Sequence, residues 1–376
     1  MSTPKTALVV GRGPAGLLSA SYLVQRGYQV SVLAEADGSL AMWPGDFSFG
    51  RDAEAFRSFP IERSLTEWLQ SFDELVTLYQ SFGVTLRLPQ REAIAHTITA
   101  TGNLRPTFAT PDWQYASTEP EPLVVVGFDG LADSIVEAQV ATYRRQSGQE
   151  AFGVRLSRPP GWDASWGALR FAVYLDSDVG TDWLVKSSQT ALESAPPDIP
   201  VVLPQIIGLE RTTNLLARLS DVCGRSVGEF PLLSPSVGGI RIKERWERQL
   251  RRQGVRFVSG RVQEILPTPR AVMADGRCFA ADLLLLAHGG VLGGGMRVAI
   301  DGVIVDELVN REIGRMDRLE ALNELGHQNA DCLGGGRVLA VGRAIGGWNP
   351  NRDHNGGAML LATVHAALEL SEEIDQ

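Results

Sequence analysis

The sequence predicts an α/β protein in which a parallel-sheet domain, assembled from separated stretches of chain, carries a second α/β domain as an insertion. Three observations support this. A glycine-rich turn lies between an apolar run and an amphipathic segment near the N-terminal end, VVGRGPAGLLSASYLVQRGYQVSVLAE, Val9 to Glu35. A second alternation of strand-like and helix-like segments begins near Pro122. Strand-like apolar runs then return late in the chain, LLLLAHGG and RVLAVGRAIGG. The expected boundaries are 1–90, 236–295 and 336–376 for the discontinuous domain and 91–235 for the insertion, with 296–335 as a short irregular connection.

The first elements follow from their residues in order. TALVVG is a short continuous apolar run, the pattern of a buried strand, and PAGLLSASYLVQRG places apolar residues at helical spacing until Gly27 stops it. YQVSVLAE is a second strand, which completes a βαβ unit. Between the first strand and the helix, Gly11, Gly13 and Gly16 stand as G-x-G-x-x-G, with Pro14 and Ala15 opening the helix. The first glycine permits the tight turn, the second lets backbone approach a pyrophosphate, and the third lets the helix pack closely on the strand. Unpaired N–H groups and the positive dipole end of the helix then face the phosphates. Glu35, at the end of the second strand, lies where a carboxylate accepts hydrogen bonds from a ribose diol. Together these features predict a Rossmann-like, dinucleotide-binding start to the chain.

From Asp52 to Leu88 helix-like segments dominate, and Ser64 with Glu67 makes a capping box before one of them. In the second α/β region PLVVVGF is a strand and GLADSIVEAQVATYRRQSG a helix. FGVRLSR, FAVYLDS and IPVVLPQI follow as expected strands, with helices over LVKSSQTALES and TNLLARLSDVCG. RPPGWDASWG and SAPPDIP are loops. In RIKERWERQLRR the apolar residues Ile242, Trp246 and Leu250 recur every four positions, so the run is an amphipathic helix with a solvated basic face.

Composition narrows the function. A net charge of −9 argues against nucleic acid, whose binders need clustered positive charge. The three cysteines, Cys223, Cys278 and Cys332, form no C-x-x-C pair, so neither an iron–sulfur cluster nor a structural zinc is expected, and a reducing cytoplasm is. The metal expectation is none. No basic and apolar leader precedes the first strand and no apolar stretch reaches the ~20 residues that span a bilayer, so any membrane association is expected to run through a partner.

The late strands resemble those of flavoproteins of the glutathione-reductase type, in which the chain returns to the first fold to close the flavin site. LLLLAHGG resembles their A-T-G strand end and places Ala287, His288 and Gly289 there, with His288 where threonine is usual. RVLAVGR resembles the strand whose terminal G-D aspartate binds the ribityl chain; here Gly342 is followed by Arg343. Asn355, Gly356 and Gly357 then start a helix whose dipole would face the flavin pyrimidine.

A more particular resemblance lies in PLVVVGFDGLADS, PSVGGIRIKERWERQLRRQGVRFVSG, LAHGGVLGGG and VLAVGRAIGGWNPNRDHNGGAMLLATVHAA, in that order, together with TATGNLRPTFAT, Thr99 to Thr110. These pieces look like the B-subunit family of anaerobic glycerol-3-phosphate dehydrogenase, along nearly the whole chain. The resemblance implies a flavin-bearing subunit with two partners. One is a paralogous catalytic flavoprotein subunit that oxidises glycerol 3-phosphate; the other is an iron–sulfur, membrane-anchoring subunit that passes electrons to quinone. It also implies a cytoplasmic chain, held peripherally at the inner face of the membrane through that partner. The family is credited with FMN, whereas the phosphate turn and Glu35 fit FAD, and both cofactors stay open at this point.

The candidate cofactor-binding residues are Gly11, Gly13, Pro14, Ala15, Gly16, Glu35, Val262, Ala287, His288, Gly289, Gly342, Arg343, Asn355, Gly356 and Gly357. Removing hydride from a secondary alcohol needs a base, and an anionic substrate needs a cation, so Arg352 and His354 in the late loop are the candidate catalytic residues. Arg105 and His288 come next, and His96 is expected to be an ordinary strand residue. Three functions of different class fit: a dehydrogenase subunit in an electron path, a stand-alone FAD oxidoreductase of another small hydroxy or amino acid, and a scaffold without flavin, favoured by Arg343.

Overall fold

The structure is a computed structural model that describes residues 4–47, 65–88, 95–266, 268, 270–273, 275–291, 293–318, 325–328, 331–333 and 337–347. In chain order it begins with β1 (Thr6–Val10), α1 (Pro14–Gln25), β2 (Gln29–Ala34) and α2 (Leu65–Ser81). Four short strands follow, β3 (Leu86–Arg87), β4 (Ala95–Ile98), β5 (Leu104–Thr107) and β6 (Thr110–Pro111). The second α/β region comprises β7 (Leu123–Phe128), α3 (Val136–Ser147), β8 (Ala151–Leu156), α4 (Ala168–Leu175), α5 (Asp178–Leu192), β9 (Val201–Pro204), α6 (Thr212–Cys223) and β10 (Val227–Phe230). After α7 (Val237–Arg252) come β11 (Arg256–Ser259), β12 (Val262–Leu266), β13 (Arg270–Met273), β14 (Cys278–Ala280) and β15 (Leu283–Leu286). The last described strands are β16 (Arg297–Val298), β17 (Val303–Asp306), β18 (Arg311–Arg315) and β19 (Val338–Ala340).

The chain divides into two compact units. One holds residues of 1–39, 48–83 and 245–376, the other residues of 40–47 and 84–244. In the first, a five-stranded parallel sheet runs in the order β11-β2-β1-β15-β19. This is a Rossmann-like sheet, and β1 and β15 lie at its middle. All four leucines of β15 are buried, the run expected of a strand covered on both faces. Leu8, Val10, Leu284 and Leu286 point into a core shared with Ile265, Met296, Ile304, Cys332 and Ile345. Tyr79, Phe82 and Trp246 make a second cluster, with the Phe82 and Trp246 rings 5.1 Å apart and nearly parallel; the Trp246 Nε1–H donates to Ser21 Oγ of α1 at 2.8 Å.

The second unit contains a four-stranded parallel sheet in the order β10-β9-β7-β8. Its strand order reverses between β7 and β9, the place where open α/β sheets receive ligands. Here the unit's own side chains occupy that edge. The Trp162 ring stands over the end of β7, where a Cβ built on Gly130 would lie 2.4 Å from it. Beyond β9, Glu229 Oε1 accepts the Ile207 N–H at 2.6 Å and Arg241 donates Nε–H to Gly208 O at 2.7 Å. Glu229 and Arg241 are paired with each other and wholly buried.

Two local expectations are corrected. FAVYLDS is not a strand: Phe171 to Leu175 belong to α4, where Ala168, Phe171, Ala172 and Leu175 form one buried stripe at helical spacing, and Asp176 caps its end. The stretch from 296 to 335, expected to be irregular, contains a three-stranded antiparallel sheet, β16-β17-β18. The capping residue Ser64 lies outside the described residues.

Candidate functional site

The first unit gathers its strand ends around the glycine turn. β1 ends at Val10 and the chain reverses at Gly11, whose φ of +115° side chains rarely adopt. Space excludes a side chain as well, since a Cβ on Gly11 would lie 2.2 Å from the carbonyl oxygen of Ala287, just beyond β15. The Gly11 N–H donates to Leu33 O of β2 at 2.8 Å, and the Ala287 N–H donates to Val10 O at 2.7 Å. Gly16 lies in the first turn of α1, and its Cβ would meet Gly11 O at 2.0 Å. Gly342, beyond β19, has φ +62° and would press a Cβ to 2.6 Å from the Ala15 methyl. Packing alone demands these three glycines.

Gly13 is different. It is the N-cap of α1, with φ −82° and ψ −176°, extended backbone that any residue can take. Among the described residues a Cβ there would meet nothing nearer than Ser39 N, at 3.8 Å. Neither conformation nor the atoms of the described residues require glycine at this position. Pro14 follows at the first helical position and no side chain caps the helix. The amides of the first turn have no partner within the helix, and the dipole adds positive potential. A face without a Cβ beside such amides is a cradle for an anionic group, and so the residues fit the pyrophosphate of a dinucleotide.

The loop after β2 closes against the same turn. A Cβ on Gly38 would lie 2.7 Å from the Gly13 Cα. Arg12, in the turn itself, is ion-paired to Asp37 and lies 3.2 Å from Glu247 Oε1. Glu35 is exposed just beyond β2. On the other side of the turn His288 follows Ala287, with its backbone N 3.1 Å from where a Gly11 Cβ would be. Its Nε2 lies 2.9 Å from Asp306 Oδ2, and His327 Nε2 lies 2.8 Å from the same oxygen. Burial raises the Asp306 pKa, but the hydrogen bonds from His288 and His327 outweigh it and hold the carboxyl well below the usual carboxylate range.

The structure thus brings Gly11, Ala15, Gly16, Ala287 and Gly342 into contact around the turn, with Gly13 and Pro14 at its open face and His288 beside it. Gly289 continues the turn with φ +83°, and Arg343 sits in the short 3-10 turn after β19. Val262 begins β12 and its side chain is buried in the core. Arg352, His354, Asn355, Gly356 and Gly357 lie outside the described residues. In the second unit, Arg105 is paired with buried Asp46, and His96 is an ordinary residue of β4 paired through its backbone with Ser117. Asp37, Gly38, Asp306 and His327 were not anticipated. An acidic and a glycine residue directly after β2 signal the first two, but no spacing rule joins His288 to Asp306 and His327.

No family model matches the sequence. The chain is similar along its length to the B subunit of an anaerobic glycerol-3-phosphate dehydrogenase. The relative, a probable B subunit by name, is from Halobacterium salinarum, with matching proteins in two strains. Identity is 25% over 418 aligned residues, covering 98% of this chain and 97% of the relative. Among solved structures, 2-methyl-3-hydroxypyridine-5-carboxylic acid oxygenase aligns with TM-score 0.37 and 11% identity, over 99% of this chain and 88% of that one. The PF1083 protein from Pyrococcus furiosus aligns with TM-score 0.35 and 11% identity, over 98% and 97%. No helix among the described residues is long and apolar enough to cross a membrane.

Proposed function

We propose that this chain is a flavoprotein oxidoreductase that holds FAD at the Gly11–Gly16 turn and serves as the B subunit of an anaerobic glycerol-3-phosphate dehydrogenase, passing electrons from glycerol 3-phosphate toward quinone. The observation that carries the cofactor is Gly13, the one glycine of the motif that packing among the described residues does not require. The subunit role is supported by similarity to the Halobacterium salinarum relative across 98% of the chain.

The bound flavin supplies two-electron redox chemistry. The chain's own residues do the holding. The turn backbone and the first amides of α1 receive the pyrophosphate, and the exposed Glu35 carboxylate accepts hydrogen bonds from ribose hydroxyls. FAD rather than FMN follows from this pairing, because FMN has neither pyrophosphate nor a second ribose. In the proposal Asn355, Gly356 and Gly357 meet the flavin, and Arg352 and His354 line its open edge. The partners are a paralogous catalytic flavoprotein subunit, together with a membrane-side iron–sulfur subunit.

Purified from its own host, the chain should be yellow, and flavin released by denaturation should run as FAD in chromatography. It should also co-purify with an iron–sulfur subunit. Colourless protein that takes up no FAD would overturn the cofactor, and yellow protein that always runs alone would overturn the subunit role.

A further inference from the structure

His288, Asp306 and His327 form a buried polar network that dinucleotide binding alone leaves unexplained. The side chains of Asp306 and His327 are wholly buried, and His288 keeps 7% of its side chain exposed. Asp306 Oδ2 receives both Nε2 atoms, and Oδ1 accepts the Leu308 N–H at 3.0 Å. An ionised carboxylate only accepts, so both imidazoles carry their hydrogen on Nε2. Each ring is left with a bare Nδ1, and both Nδ1 atoms are buried without a hydrogen-bond partner among the described residues. Buried polar atoms are nearly always paired, so two orphans in one network call for a reason.

Position supplies one. His288 lies beyond the carboxyl end of β15 and next to Gly11. The His327 N–H donates to Ala344 O at 2.8 Å and its carbonyl accepts from Gly346, just beyond β19. The network therefore sits at the carboxyl edge of two adjacent parallel strands, where open α/β sheets bind ligands. Its least buried member is the one beside the glycine turn. The Asp306 carboxylate brings a negative charge to the network, and a pyrophosphate at the turn brings more. Like charges in low-dielectric surroundings oppose each other, and a proton on one ring relieves the repulsion.

We propose that His288, Asp306 and His327 form a proton-binding site linked to the dinucleotide site, taking one proton from solvent at Nδ1 of His288 when a pyrophosphate binds at the Gly11–Gly16 turn. This rests on the dinucleotide reading of that turn. Asp306 and His327 are positioning residues: Asp306 fixes the tautomer, and His327 shares its charge. Other titratable and charged groups lie near the network. Cys332 is pushed up to about 12, by burial first and then by the Asp306 charge, so its thiol stays protonated. Arg311 donates to Cys332 O at 2.9 Å. Asp331 lies beside Cys332, and Asp37 and Glu247 lie with Arg12 on the turn side.

The test is calorimetric titration of the full chain with FAD near neutral pH, in buffers of different protonation enthalpy. The pyrophosphate of FAD does not itself titrate there. Wild type should take up protons on binding, and its Kd should rise with pH, approaching tenfold per unit for one linked proton. His288→Gln and Asp306→Asn should bind FAD with no uptake and a pH-independent Kd. Equal heats in all buffers for wild type, or full uptake in His288→Gln, overturn the proposal. Should neither variant fold, the 15N shift of His288 Nδ1 in wild type decides: it should move from a bare to a protonated nitrogen when FAD is added, and an unmoved signal overturns the proposal. A chain that binds no FAD at all refutes the dinucleotide reading, and the linked site with it.

Discussion

Gly13 and Gly16 lie in one motif three residues apart, yet replacing each with alanine should have opposite consequences. At Gly16 the new Cβ would sit 2.0 Å from Gly11 O. Ordinary contact begins at 3.4 Å, so α1 and the turn must separate by about 1.4 Å. Leu17, Leu18 and Leu23 are wholly buried beneath α1, so the helix cannot lift without exposing them. Overpacking of this kind costs about 3 kcal/mol, a fall in Tm of roughly 6–12 °C. At Gly13 the nearest atom to the new Cβ is 3.8 Å away and the backbone is already extended. Losing glycine at an N-cap costs up to about 1 kcal/mol, and the stiffer unfolded chain returns about 0.4–1 kcal/mol, so stability should barely change. FAD binding should suffer instead. A lost charge-assisted hydrogen bond to phosphate is worth about 1.5–3 kcal/mol, or roughly 10- to 150-fold in Kd. Thermal denaturation and flavin fluorescence titration of both variants check the contrast. A Gly13→Ala protein that unfolds as early as Gly16→Ala, or one that binds FAD as wild type does, refutes the reasoning.

Further outcomes follow from other sites. Glu229→Ala strands the buried Arg241 charge and should cost about 3–5 kcal/mol by chemical denaturation, whereas Glu137→Ala, which breaks an exposed pair with Arg155, should leave the unfolding midpoint nearly unchanged. Asp306 has a depressed pKa in the folded protein, so its contribution is complete above the unfolded value near 3.9 and is lost as pH falls below it. Asp306→Asn should therefore be less stable than wild type at pH 7 and lose less on acidification below about pH 4, as equilibrium unfolding across pH will show. Cys278 is exposed, while the Cys332 thiol is buried and pushed up to about 12. Mass mapping after brief alkylation at pH 8 should find Cys278 modified and Cys332 intact until the chain unfolds.

The opening βαβ unit was legible because its signals are local. The G-x-G-x-x-G spacing and Gly27 mark a turn and a helix end within one short stretch, although the contact that makes Gly11 necessary, with Ala287, comes from far along the chain, and the apolar runs either side match a strand and a helix. FAVYLDS misled because Phe171, Val173 and Leu175 alternate and are good strand formers. The stripe Ala168, Phe171, Ala172 and Leu175, which the fold actually buries, is visible only when the window starts at Ala168. The sheet β16-β17-β18 escaped because β16 has only two residues and β17 four, too few for a period to register. The His288 network was out of reach for a different reason. His288 could be placed at a strand end by its flanking leucines and glycines, but its partners come from a hairpin and a loop that tertiary packing delivers.

The five-stranded sheet also sets a schedule for synthesis. The Thr6 N–H bonds to Asp282, 276 residues later in the chain, and β1 pairs on that side only with β15. At about 5–20 residues per second a ribosome needs roughly 14–55 s to deliver that partner. Through that interval β1 and β2 can pair, but β1 keeps one edge open, and the turn lacks the Ala287 carbonyl and the Gly342 contact that shape it. The second unit, complete by residue 244, is finished well before. The glycine turn, made before residue 20 of this sequence, is therefore among the last parts of the sheet able to hold a ligand, and until β15 arrives a nascent chain depends on chaperones to keep the open edge of β1 from other strands.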